Sequence, residues 1–116
     1  MDIIQFRDFC LSLDETVTED FPFDQSTLAF RIEKKIFALT DVDKFEDGVN
    51  LKCTPERAIE LRETYNGVFP AFHMNKTHWN TVVPHSDVPL ELFKELVTLS
   101  FTLVKPKPKR VKKIKS

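Results

Sequence analysis

Between Thr27 and Glu33 apolar and polar positions alternate. Leu28, Phe30 and Ile32 point one way, and Thr27, Ala29, Arg31 and Glu33 the other, which is the two-residue period of a strand. After Lys34-Lys35 the run Ile36–Thr40 keeps strand character, so the two segments predict a hairpin, although Lys-Lys is not a preferred turn pair. Asp41–Asp47 is an acidic loop and Gly48 restarts the chain. Val49, Leu51 and Cys53 then alternate with Asn50 and Lys52 as a third core strand. Ahead of these, residues 2–13 carry Ile3, Phe6, Cys10 and Leu13 at helical spacing behind Asp2 as N-cap. Residues 14–20 are polar and acidic. Pro22, between Phe21 and Phe23, limits that segment to an edge or irregular strand, and Asp24-Gln25-Ser26 is turn chemistry.

A second helix starts with Thr54 as N-cap and Pro55 at the first helical position. Its apolar line is Ala58, Leu61 and Tyr65, joined by Ile59, and Asn66-Gly67 ends it. Val68–Phe72 leads into a polar cluster, Trp79–Val83 predicts a strand, and Pro84–Asp87 a turn. Pro89 opens a third helix with a wide apolar face of Leu90, Phe93, Leu96, Val97, Leu99, Ser100 and Phe101, closed by Thr102-Leu103-Val104. The order is helix, three strands, helix, one or two strands, helix. It predicts a two-layer α+β domain, an antiparallel sheet covered on one face by helices. Residues 1–104 form that domain. Lys105-Pro106-Lys107-Pro108-Lys109 cannot continue the helix, so 105–116 is expected as an extended basic tail.

The 116 residues bound one domain, and eleven phenylalanines supply its core. The formal net charge of −1 hides an asymmetry. Of seventeen Lys and Arg, seven lie in 105–116 with no acid beside them, which leaves ten against eighteen acidic residues in 1–104. The body therefore carries about −8 and the tail about +7, and the body repels phosphate. Cys10 and Cys53 form no CxxC, and no secretory leader opens the chain, so a cytoplasmic protein with two reduced thiols is expected. No apolar stretch approaches the roughly 20 residues of a membrane span.

The densest chemistry is the run 70–82, with two of three histidines and the only tryptophan. His73 and His78 stand five apart without finger-like cysteine spacing or HExxH, so no metal or other cofactor is expected. No nucleophile elbow, glycine-rich loop or paired-carboxylate pattern points to an enzyme. Two readings of the cluster stand side by side. In the structural one Trp79 packs between sheet and helix, Asn75 and Thr77 make a turn, and His78 donates to a backbone carbonyl. In the binding one His73, Asn75, Lys76 and His78 present donors to phosphate or base edges, with Lys105, Lys107, Lys109 and Arg110 of the tail. Non-specific nucleic-acid binding of that kind falls steeply with salt. A Lys-rich terminus is more often a solvated tail. The acidic stretches 14–24 and 41–47 suit a basic protein partner, or weak capture of a cation.

Four segments, KIFALTD at 35–41, VNLKCTPERAIELRE at 49–63, PAFHMNKTHWNTV at 70–82 and LVTLSFTLVKPKPKR at 96–110, resemble the MmcQ/YjbR-like proteins. These are small bacterial proteins to which DNA binding has been ascribed. The resemblance spans nearly the whole chain, and HMNKTHW is its most specific part. It implies a fold similar to CyaY and the type III secretion chaperones, in the order α-β-β-β-α-β-β-α. The expected protein is a monomer or weak dimer that, following the family's DNA-binding label, binds DNA through the 73–79 loop and the tail; alternatively, it is a protein-interaction or chaperone-like module, which the CyaY-like and secretion-chaperone resemblance keeps open. Phe101 departs from the family, which has tyrosine after that serine.

Overall fold

The computed structural model of the chain describes residues 1–72 and 74–106. Six strands make one sheet: β1 (Thr18–Asp20), β2 (Thr27–Ile32), β3 (Lys35–Asp41), β4 (Val49–Lys52), β5 (Val68–Pro70) and β6 (Trp79–Val82). Their spatial order is β1-β2-β3-β4-β6-β5, with every pairing antiparallel. Helices α1 (Ile3–Ser12), α2 (Pro55–Thr64) and α3 (Leu90–Val104) cover one face. This is the α+β architecture the pattern predicts, with two strands after α2 and a short edge strand, β1, in addition. Thr18-Glu19-Asp20 has no apolar period to reveal it. Its ladder to β2 holds it, flanked by ion pairs: Arg7 of α1 donates to Glu19 at 2.7 and 3.0 Å, and Arg31 of β2 donates to Asp20 at 2.8 Å. A charged edge also discourages other chains from adding to the sheet.

Ile32 pairs with Lys35, so the β2–β3 turn is Glu33-Lys34, one residue earlier than Lys34-Lys35. Both turn residues have positive φ, 47° and 75°, as a two-residue hairpin requires. Neither is Gly or Asn, so the turn is strained, and register sets it: Ile32 belongs to the core face. The ladder then slips. Phe30 pairs with Ala38 and Arg31 with Ile36, which leaves Phe37 as an extra residue. The bulge turns both Phe37 and Ala38 toward the helices and leaves Ile36 and Leu39 on the opposite face.

Phenylalanines knit the covered face together. Phe6 of α1 meets Phe30 edge-on at 5.7 Å, and Phe37 meets Phe101 of α3 edge-on at 5.3 Å, geometries favoured by the ring quadrupole. Phe45 and Phe93 close the cluster around Phe6. Ser100, fully buried, ties α3 to the sheet: its hydroxyl donates to the Phe37 carbonyl at 2.5 Å and accepts from the Lys52 N–H at 2.8 Å. Cys10 and Cys53 are free and buried, and burial pushes both thiols up, so both stay protonated at neutral pH.

Each helix end has its own solution. Asp2 caps α1 in a reciprocal capping box with Gln5. Pro55 opens α2 as expected, but Ile59 is 53% exposed and does not join its buried line. Gly67 is not a left-handed cap. The helix ends at Tyr65 in extended backbone, and the N–H groups of Asn66 and Gly67 donate to the Asp87 carboxylate at 2.7 and 2.8 Å. A Cβ on Gly67 would meet Ser86 Oγ at 2.2 Å, so close approach requires the glycine there. No helix among the described residues is long and apolar enough to cross a membrane.

Candidate functional site

The face opposite the helices is a row of cross-strand neighbours: Asp20, Ala29, Leu39, Asn50, Thr81 and Phe69. Among the described residues, no helix packs on it. Two loops reach over its middle instead, residues 21–26 from the β1–β2 side and residues 71–72 and 74–78 from the β5–β6 side. Between them lies a groove of about 550 Å³ with Ile36 and Leu39 in its floor and Phe23, Phe72 and Met74 on its rim. Phe23 and Phe72 are each 69% exposed. The polar lining includes Asp24, Asp41 and Asn50.

Both rim loops are held by the same local device, a side-chain oxygen that captures backbone N–H groups just downstream. In the first, Asp24 accepts from the N–H of Ser26 at 2.9 Å and of Thr27 at 2.7 Å, and from the Thr27 hydroxyl at 3.1 Å. These bonds, that from Ser26 first, hold the Asp24 carboxyl below the usual carboxylate range, so it stays anionic at the rim. In the second, Asn75 Oδ1 accepts from the Thr77 N–H at 2.9 Å, and the Asn75 carbonyl accepts from the N–H groups of His78 and Trp79 at 3.1 and 2.9 Å. The Thr81 hydroxyl donates to Asn50 Oδ1 at 2.7 Å, and the Asn50 Nδ2 has no hydrogen-bond partner among the described residues. Gly48, also in the lining, has φ +125°, and a Cβ there would strike the Thr81 methyl at 2.4 Å.

The predicted site residues divide. Asn75 and Lys76 are exposed on the second loop, with the Lys76 ammonium 5.9 Å from the Phe72 ring centroid. His78 is half-buried, and its backbone does the anchoring: its carbonyl accepts from the Cys53 N–H at 2.7 Å. Lys105 is exposed at the far end of α3, within electrostatic reach of Asp14 in the α1–β1 connection and stacked 5.8 Å from Phe101. The structure thus sets Lys105 toward the β1 edge of the sheet and Lys76 toward the β5 edge. It does not gather them. His73, Lys107, Lys109 and Arg110 lie outside the described residues.

Trp79 corrects an expectation. It pairs with Lys52 on the uncovered face, half-buried, and does not wedge between sheet and helix. Asn80 takes that inner position: its Nδ2 donates to the Ala58 carbonyl of α2 at 3.3 Å, and its Oδ1 accepts from Arg62 Nε at 2.6 Å. Sequence reasoning also missed the groove itself. Its signal was in β3, where Ile36-Phe37-Ala38-Leu39 is apolar without interruption and so feeds both faces of the sheet.

A six-stranded sheet with three helices on one side and a loop-rimmed groove on the other defines a small two-layer α+β domain. The chain belongs to the YjbR family, whose model matches residues 11–103. It is 32% identical to the uncharacterised protein YbdF of Escherichia coli O157:H7 over 84 residues, 72% of this chain and 69% of YbdF. It is 29% identical to the uncharacterised protein YjbR of Escherichia coli strain K12 over 104 residues, 87% and 85% of the two chains. Among solved structures, a DUF419 protein of Deinococcus radiodurans superposes with a TM-score of 0.80 at 38% identity, covering 89% of this chain and 78% of that one. A Pseudomonas syringae protein superposes with a TM-score of 0.76 at 28% identity, covering 90% and 100%.

Proposed function

We propose that this chain is a non-catalytic protein-interaction domain that docks an extended segment of a partner across the uncovered sheet face. The observation that carries the reading is the pair of exposed phenylalanines, Phe23 and Phe72, set on two separate loops at the rim of one apolar-floored groove. Covering a phenylalanine side chain stabilises a complex by about 1.5–3 kcal/mol, so two such anchors suffice to specify a docking point. Charge selects the partner's chemistry. Asp24 and Asp41 line the groove of a body that carries about −8, which favours a segment presenting Lys or Arg beside apolar side chains.

A nucleic acid fits this face less well. Its phosphates would meet the carboxylates of Asp24 and Asp41, while Lys76 and Lys105 stand toward opposite edges of the sheet. The test has two arms on isotopically labelled protein followed by NMR. One titrates short peptides alternating Leu or Phe with Lys or Arg, beside a matched set with Glu for the cations; the other titrates duplex and single-stranded oligonucleotides. The cationic peptides are expected to move the amide signals of Leu39, Asp41 and Asn50, and the Glu set to leave them still. Asp24→Asn and Asp41→Asn remove the charge and keep one side-chain oxygen, which at Asp24 still serves the Ser26 and Thr27 N–H groups while the acceptor for the Thr27 hydroxyl is lost; each is expected to weaken the cationic peptide severalfold. Salt-sensitive oligonucleotide binding centred on Lys76, with the groove signals unmoved by any peptide, would restore the nucleic-acid reading.

A further inference from the structure

Behind the groove, α2 reaches one of its rim loops from the other side of the sheet. Arg62, in the last turn of α2, donates through Nε to Asn80 Oδ1 at 2.6 Å and through Nη2 to the backbone carbonyl of Lys76. Asn80 is 1% exposed, and its Nδ2 donates to the Ala58 carbonyl at 3.3 Å. One guanidinium therefore bridges a helix, the inner face of β6 and the loop that carries Phe72 and Met74. Arg62 itself does not line the groove.

Arg62 is one of the contacts that the described residues make to this loop from outside it. The loop's own bonds run inward, from Thr77, His78 and Trp79 to Asn75, and fix its shape without fixing its place on the sheet. Its place is set at the strand junction by the bonds from Cys53 N–H to the His78 carbonyl and from Ala71 N–H to the Trp79 carbonyl. At its middle, Arg62 reaches the Lys76 carbonyl from the helix side. We infer that Arg62 is a positioning residue for the docking groove, holding the second rim loop in the posture that places Phe72 over the floor. A planar fork with two donors suits this task, because it can bond a side-chain oxygen and a carbonyl in one plane. Lysine offers a single ammonium in place of that fork.

This inference rests on the docking reading, and its test separates the two. Amide hydrogen exchange is followed in the ligand-free chain and in the Arg62→Ala, Arg62→Lys and Asn80→Leu variants. Exchange at Thr77 and His78 is expected to rise about tenfold or more in Arg62→Ala and Asn80→Leu and less in Arg62→Lys, with Phe30 and Leu51 amides unchanged. The same variants are expected to bind the Leu/Lys peptide more weakly in the same order, whereas Phe72→Ala weakens binding without changing loop exchange. Loop exchange that stays at the wild-type rate in Arg62→Ala overturns the assignment, as does exchange that rises equally at Phe30 and Leu51. If the wild type binds no peptide while loop exchange responds as stated, the docking reading falls and Arg62 remains the anchor of the loop.

Discussion

On the covered face of the sheet, Phe30, Phe37, Val49 and Leu51 lie at or near zero exposure beneath Phe6, Phe93 and Phe101. On the other face, Ile36 and Leu39 of the same β3 strand are only partly covered, and the rings above them, Phe23 and Phe72, stand mostly in water. The two faces use the same residue types for different ends. Apolar side chains that meet apolar neighbours stabilise the chain. Apolar side chains brought to the rim of an open groove by tightly turned loops leave part of their burial for an encounter with something else.

Mutations separate the faces most sharply at Phe37. Phe37→Ala is expected to cost about 3–5 kcal/mol and lower the melting temperature by more than about 12 °C in thermal unfolding. Ser100→Ala removes a group that serves two buried backbone atoms at once, the Phe37 carbonyl and the Lys52 N–H, and is expected to cost about 2–3 kcal/mol by urea titration. On the open face, Phe72→Ala and Phe23→Ala are expected to stay within about 0.5 kcal/mol of wild type in the same titration.

Stability is also expected to depend on pH. Asp14, Asp24 and Asp87 have carboxyls held below their usual range, chiefly by backbone N–H donors. A depressed folded-state value adds stability above the unfolded carboxylate range and loses it as pH falls through the folded values. The urea midpoint should therefore drop between pH 6 and pH 3. Asp87→Asn should lower it at pH 6 and flatten part of that slope.

The covered face was legible in the chain. The two-residue period of Leu28, Phe30 and Ile32 and the capped helices led to the right architecture, because one-sided burial leaves a periodic trace. The groove left a fainter one. Phe23, Leu39 and Phe72 meet only through the register of strands far apart in sequence, and an exposed phenylalanine looks the same in a sequence as a buried one. Trp79 shows how size can mislead. Counting back in twos from core-facing Val82 puts Asn80 inside and Trp79 outside, and a one-residue error exchanges the faces. The donors of the 73–79 loop drew attention as ligand contacts, yet Asn75 spends its side-chain oxygen on the turn that shapes the rim.

The most direct test of the two-face account is one pair of measurements on the Phe23→Ala/Phe72→Ala double variant. Its thermal unfolding and its affinity for a fluorescent Leu/Lys peptide are compared with those of the wild type. The account predicts a melting temperature within a few degrees of wild type and an affinity reduced at least about tenfold, since each ring is worth more than about 1.4 kcal/mol when covered. Wild-type affinity in the double variant, or a stability loss as large as that of Phe37→Ala, would contradict it.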